Sequence, residues 1–114
     1  MSLKLLPPSM FSAMDLLPDT RTPVTLFTRH SVREQVSGQG LAGYELQLTS
    51  EGRDLAQAWG EYLIDQTGRR IEHCISSPIQ RCIDTAALMI QGADAVQPEN
   101  THKIDIVEQS LLVE

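Results

Sequence analysis

Between residues 24 and 107 the hydrophobic pattern switches period four times. A short β-branched run, Val24 to Thr28, gives way to a helical pattern. A second short run, Ile71 to Ile75, is followed by another helical pattern, and a third run, Lys103 to Val107 ("KIDIV"), comes last. Strand, helix, strand, helix, strand in that order leaves few architectures. Each helix must cross between two strands of one sheet, so the connections are right-handed and the strands parallel. The expected class is therefore α/β.

The helical stretches carry their own boundary signals. In "SEGRDLAQAWGEYLIDQTG", Leu55, Trp59, Tyr62 and Leu63 fall at i, i+4, i+7 and i+8, a single apolar face. Thr49 fits the N-cap and Gly68 the stop. The second helix is expected to use Ser77 as cap and Pro78 as its first helical residue. It shows an apolar face of Ile79, Cys82, Ile83, Ala86 and Ile90 and is expected to stop at Gly92. Residues 1–22, rich in proline, serine and aspartate, read as an arm with a helical turn, laid over a domain formed by residues 23–114. Residues 31–48, with Gly38, Gly40 and Gly43, read as a long loop of the kind that carries function.

Composition narrows the function classes. A chain of 114 residues with 41% hydrophobic residues suits one domain with a modest core. The formal net charge of −6 argues against a nucleic-acid partner. No apolar run is long enough for a membrane span, and the proline-broken N-terminus lacks the apolar centre of a secretory signal, so a cytoplasmic location is expected. The two cysteines, Cys74 and Cys82, have no metal-ligand spacing and read as small buried side chains.

Chemistry concentrates at two strand ends. In an open parallel sheet, ligands bind beyond the carboxyl ends of the strands. "TRHSVR" follows the first strand there, and "SSPIQRCIDTA" the second. Arg81 falls in the first turn of its helix, where backbone N–H groups already favour an anion. Arg29, Arg33 and Arg81 could together cradle a phosphate, for which the guanidinium fork is well matched. His30, between two of them, could in its neutral form attack phosphorus while the cations stabilise the phosphoryl oxygens. The residues alone leave a second reading open, in which His30 is a hydrogen-bonded structural residue and the arginines are surface charges.

Three segments resemble the histidine phosphatase superfamily, also called phosphoglycerate-mutase-like. "TLFTRHSVRE" is similar to its Arg-His-Gly signature, "LQLTSEGRDLAQAWGEYL" to the segment that follows its active-site loop, and "ISSPIQRCIDTAALM" to its serine-proline-arginine-threonine segment. The resemblance covers about residues 24–92. It implies a three-layer fold: a mostly parallel sheet with helices on both faces. It implies that His30 is the nucleophile and becomes a phosphohistidine. Arg29 and Arg81 then bind phosphate, and Arg33 looks like the extra arginine of the acid-phosphatase-like branch. Thr49 and Gly52 match a helix-start pair, a cap and a small residue for close packing.

Departures from the family pattern matter as well. Ser31 stands where the family has glycine, so either the turn tolerates it or its hydroxyl has a role at the pocket; Ser31 and Ser77 are supporting residues. "SLLVE" matches the family's acid segment and makes Glu114 the candidate general acid, with Glu108 behind it. The family's second catalytic histidine has no counterpart, since neither His73 nor His102 fits. The resemblance thus implies a phosphatase that hydrolyses a phosphomonoester through His30, with the C-terminal part of the domain missing. The alternatives are a catalytically impaired phosphate-binding module or inactive fragment, and a phosphoglycerate-mutase-type phosphotransferase. No metal or organic cofactor is implied. The partners expected are a phosphorylated small molecule or phosphoprotein, with no nucleic acid or membrane; a homodimer, in which a second copy of the chain covers an open sheet edge, is a further option.

Overall fold

The computed structural model describes residues 6, 8–18, 22–26, 28–34, 46–96 and 106–109. In chain order they form helix α1 (Pro8–Met14), helix α2 (Ser50–Thr67), strand β1 (Cys74–Ser76), helix α3 (Gln80–Val96) and strand β2 (Ile106–Glu108). The strands pair in parallel, with Cys74 opposite Ile106, Ile75 opposite Val107 and Ser76 opposite Glu108. The Gln109 amide extends the pairing by donating to the Ser76 carbonyl at 2.8 Å. A parallel pair joined through α3 is the expected crossover unit, and the fold is α/β. No helix among the described residues is long and apolar enough to cross a membrane.

α2 is the element whose limits follow most directly from its residues. Thr49 sits in extended conformation and its Oγ1 accepts the Gly52 amide at 2.9 Å, satisfying one of the open donors of the first turn. Gly68, at φ 72°, closes the other end and donates its amide to the Ile64 carbonyl. That left-handed backbone is what glycine permits at low cost.

α2 lies between the other two helices. On one side Ala58, Trp59 and Tyr62 form the core with Leu6, and α1 covers them with Met10, Phe11 and Met14. Phe11 meets Tyr62 edge-on at 4.9 Å, and Trp59 stacks on Tyr62 at 5.8 Å. On the other side two glycines bring α2 and α3 into backbone contact. A Cβ on Gly60 would lie 1.9 Å from the Met89 carbonyl oxygen, and one on Gly92 would lie 2.0 Å from that of Gln57.

Several expectations are corrected. Val24–Leu26 and Thr28 form no strand: they pair with nothing among the described residues, and Val24 and Leu26 are exposed. A β-branched run makes extended backbone, but only a neighbour's ladder makes it a strand. The second and third strands are short, Cys74–Ser76 and Ile106–Glu108, rather than 71–75 and 103–107; residues 103–105 lie outside the described residues. α3 begins at Gln80 rather than Pro78. Ser77 Oγ accepts the Ile79 amide at 3.3 Å, and the first helical bond runs from the Ile83 amide to the Ile79 carbonyl, so the turn before the helix takes up Pro78. α3 also runs through Gly92 to Val96, because that glycine serves close packing and not termination. Its buried positions include Arg81, Thr85, Gly92 and Ala93, whereas Cys82, Ile83, Ala86 and Ile90 of the expected face are half-buried. The loop glycines Gly38, Gly40 and Gly43 lie outside the described residues.

Neither cysteine is in a disulfide among the described residues, and both are half-buried rather than buried. Burial pushes the Cys74 thiol above its ordinary range. A raised thiol holds less thiolate at any given pH, and thiolate is the reactive form. In a Cys82→Ser background, Cys74 should react with iodoacetamide several-fold more slowly at pH 8 than after unfolding. Its rate should still be climbing at pH values where the unfolded chain has levelled off. Equal rates in the two states would show that burial does not govern this thiol.

Candidate functional site

The segment carrying the Arg-His pair is laced to the start of α2. The Glu34 amide donates to the Gln47 carbonyl at 2.9 Å, and the Thr49 amide to the Val32 carbonyl at 3.0 Å, with Arg33 and Leu48 forming a single antiparallel bridge between them. Glu34 Oε1 accepts the Gln47 amide as well. Gly52 makes the approach possible: a Cβ there would stand 2.1 Å from the Val32 carbonyl oxygen. The small residue of the helix-start pair therefore admits the His30 segment.

Ser31 ties the same segment to both long helices. Its hydroxyl donates to the Gly52 carbonyl of α2 at 2.7 Å. Its amide donates to Thr85 Oγ1 of α3 at 3.0 Å, and that hydroxyl donates in turn to the Arg81 carbonyl at 2.8 Å. Ser31 has negative φ, like every described residue other than glycine. A glycine is not required by the backbone here, and the hydroxyl does have work at the site.

Thr85 is the threonine of the serine-proline-arginine-threonine segment, and what the sequence does not show is its partner. Ser31 and Thr85 are 54 positions apart, and no local pattern joins them. The place of Thr85 in that segment, one helical turn beyond Arg81, marks the residue but not the tie. Replacing it by isosteric valine leaves the Ser31 amide and the Arg81 carbonyl without this hydroxyl. The expected cost is about 1–3 kcal/mol, read as a lower urea midpoint at unchanged slope. No shift in midpoint would mean that the link is not a structural tie.

His30 is oriented by its neighbour. Nδ1 lies 2.7 Å from the Ser31 carbonyl oxygen. A carbonyl only accepts, so Nδ1 carries the proton and, in a neutral ring, the lone pair is on Nε2. Nε2 itself is buried.

His30, Arg29, Ser31, Arg33 and Thr85 all line one cleft of about 750 Å³, whose remaining wall comes largely from α1, α2 and Leu26. Arg29 is exposed and makes no hydrogen bond or ion pair among the described residues. Arg33 donates from NH1 to the Glu34 carbonyl at 2.9 Å and pairs with no carboxylate there. The two guanidinium charges beside His30 thus have no acidic neutraliser among the described residues.

The other expected residues fall elsewhere. Arg81 is 2% exposed, is not among the residues lining the cleft, and donates from NH1 to the Leu46 carbonyl at 3.3 Å. Ser77 is buried in the turn before α3, and Glu108 is exposed at the end of β2. His73 is exposed just ahead of β1. Glu114 and His102 lie outside the described residues.

The sequence model of the histidine phosphatase superfamily (branch 1) matches residues 25–106, well over half of the chain. The chain belongs to the histidine phosphatase superfamily. No curated protein matches its sequence. Within this histidine phosphatase domain the match begins one residue after Val24, takes in the His30 segment and the whole of α2 and α3, and ends at the first residue of β2.

Proposed function

We propose that this histidine phosphatase domain hydrolyses a phosphomonoester through a phosphohistidine on His30. The observation that carries the reading is the placement of Arg29, His30 and Arg33 on one cleft, with Ser31 fastening the segment between two helices. Once a turn of the His30 ring brings the buried Nε2 out to the cleft, that atom attacks phosphorus, and the bond from phosphorus to the ester oxygen breaks. The leaving oxygen takes a proton from a carboxylic acid, for which Glu114 is the candidate and Glu108 the second. Water then attacks the phosphoryl group, the phosphorus–nitrogen bond breaks, and free imidazole and inorganic phosphate result. Arg29 and Arg33 hold the phosphoryl oxygens, and Arg81 adds a third positive charge from the interior.

Hydrolysis is favoured over mutase-type transfer by the rest of the cleft. Besides Arg29, His30 and Arg33, the described residues of its lining include no cation. A mutase must hold an intermediate bearing a second anionic group while it turns.

The fold reading that accompanies this is the three-layer one. Parallel strands bury apolar side chains on both faces, and Ile75 and Val107, paired in register, stand 61% and 57% exposed. They have the composition of a face made to be covered by a further layer.

The test is to trap the intermediate. The full chain is mixed with p-nitrophenyl phosphate, quenched in alkali and analysed for an acid-labile phosphoryl group. The expected result is a single adduct that maps to His30 and is absent in His30→Ala. A folded chain that binds phosphate or vanadate yet never carries the adduct would be a binding module, and the hydrolase reading would fall.

A further inference from the structure

The cleft is far larger than a phosphoryl group needs, and its excess is apolar. At about 750 Å³ it lies within the range of small-molecule sites. Among the described residues that line it, the charged groups are Arg29, His30 and Arg33, with no carboxylate. Leu26, ahead of that cluster in the chain, and Val32, within it, are 37% and 40% exposed. Met10, Met14 and Leu17 supply the wall from α1 and the residues after it, and Trp59 supplies the side of α2. Hydroxyl groups that could recognise a polar substrate body are scarce among the described residues of the lining. Those of Ser31 and Thr85 are committed to the Gly52 and Arg81 carbonyls, which leaves Ser9 and Thr28.

From this distribution we infer that the substrate is a phosphomonoester of an apolar alcohol, alkyl or aryl, whose hydrocarbon part lies along the α1 wall. The inference rests on the phosphoryl reading of His30 and adds the substrate class. Charge complementarity fixes the orientation: the dianionic head goes to the two guanidinium groups that lack a carboxylate partner among the described residues. The apolar body is left to the methionines, leucines and Trp59. A polyol phosphate would leave its hydroxyls against hydrocarbon, a costly mismatch. Methionine side chains are flexible and polarisable, so the wall tolerates bodies of differing shape. The N-terminal helix is thus the element that sets substrate preference.

Titration calorimetry of the full chain tests this with inorganic phosphate, the n-alkyl phosphates from ethyl to octyl, and the n-alkanols of the same lengths. The expected result is measurable binding of inorganic phosphate and an affinity that rises about fourfold per methylene along the ester series. Leu26→Ser and Val32→Thr, both at exposed positions, should each flatten that rise. Phosphate binding with no dependence on chain length would overturn this inference and leave the phosphoryl site standing. Failure of both phosphate and alkyl phosphates to bind would overturn the two together. Alkanols binding as tightly as the matching esters would also overturn it, since the head group would then play no part.

Discussion

Gly60→Ala and Gly92→Ala are each expected to lower the melting temperature by more than 10 °C. Alanine is the better helix former by about 1 kcal/mol, so the intrinsic preference runs the other way. The space decides the sign. The added methyl at Gly60 would lie 1.9 Å from the Met89 carbonyl oxygen, and at Gly92 2.0 Å from that of Gln57. Neither obstacle is a side chain that can swing aside, so α2 and α3 must separate by more than an ångström along their contact. Overpacking of this kind costs about 1–3 kcal/mol where side chains can yield, and more where they cannot. A net loss of about 3 kcal/mol corresponds to roughly 12 °C or more in a domain of this size. Thermal unfolding followed by circular dichroism gives the answer. Gly68→Ala is the internal control, because nothing lies within 4 Å of that position and only its φ of 72° resists the change. Its loss should be about 1 kcal/mol. If Gly60→Ala melted as the parent does, the close helix contact would be wrong.

His30→Ala should reduce kcat/KM for p-nitrophenyl phosphate by about a thousandfold or more, since no other imidazole lines the cleft among the described residues. Arg29→Ala should cost about a hundredfold by removing one charge from the developing phosphoryl oxygens. The two variants separate by signature. Without the nucleophile, the chain should still bind vanadate and form no phosphoryl adduct. Without Arg29, it should form the adduct slowly and bind vanadate weakly. A His30→Ala protein that retained a tenth of the parent rate would remove His30 from the nucleophile's role.

How far the sequence foretold this arrangement depends on how local each cause is. α2 was legible to the residue at both ends, because Thr49 and Gly68 act through bonds three or four positions away. The end of α3 was not, because a glycine in a helical pattern has two meanings. Gly92 admits the backbone at Gln57, and that meaning exists only once α2 is in place. The run Val24–Thr28 had strand composition, but composition does not provide a pairing partner. At the site, the adjacency of Arg29, His30 and Arg33 was visible as text, and the family match over residues 25–106 accords with it. The separation of Arg81 from the cleft lining was not visible, nor was the Ser31–Thr85 tie, since both depend on how α3 rolls against its neighbours. The contribution of α1 to the cleft wall was equally hidden, because its methionines read as ordinary packing residues.

The stacking of three helices with α2 in the middle has a kinetic side. Amide protons of α2, covered by α1 on one flank and by α3 on the other, should exchange with deuterium last and report the global opening. α1 is only seven residues long, too short to persist by itself. It is held by Met10, Phe11 and Met14 on the core. The segment after it is pinned by Arg69, which donates to the Pro18 and Thr22 carbonyls. That end of the molecule should detach in brief, local excursions while the α2–α3 pair stays closed. The wall that faces the cleft is therefore also the most readily released part of the fold. Occupancy of the cleft should register first as slowed deuterium uptake in residues 8–18.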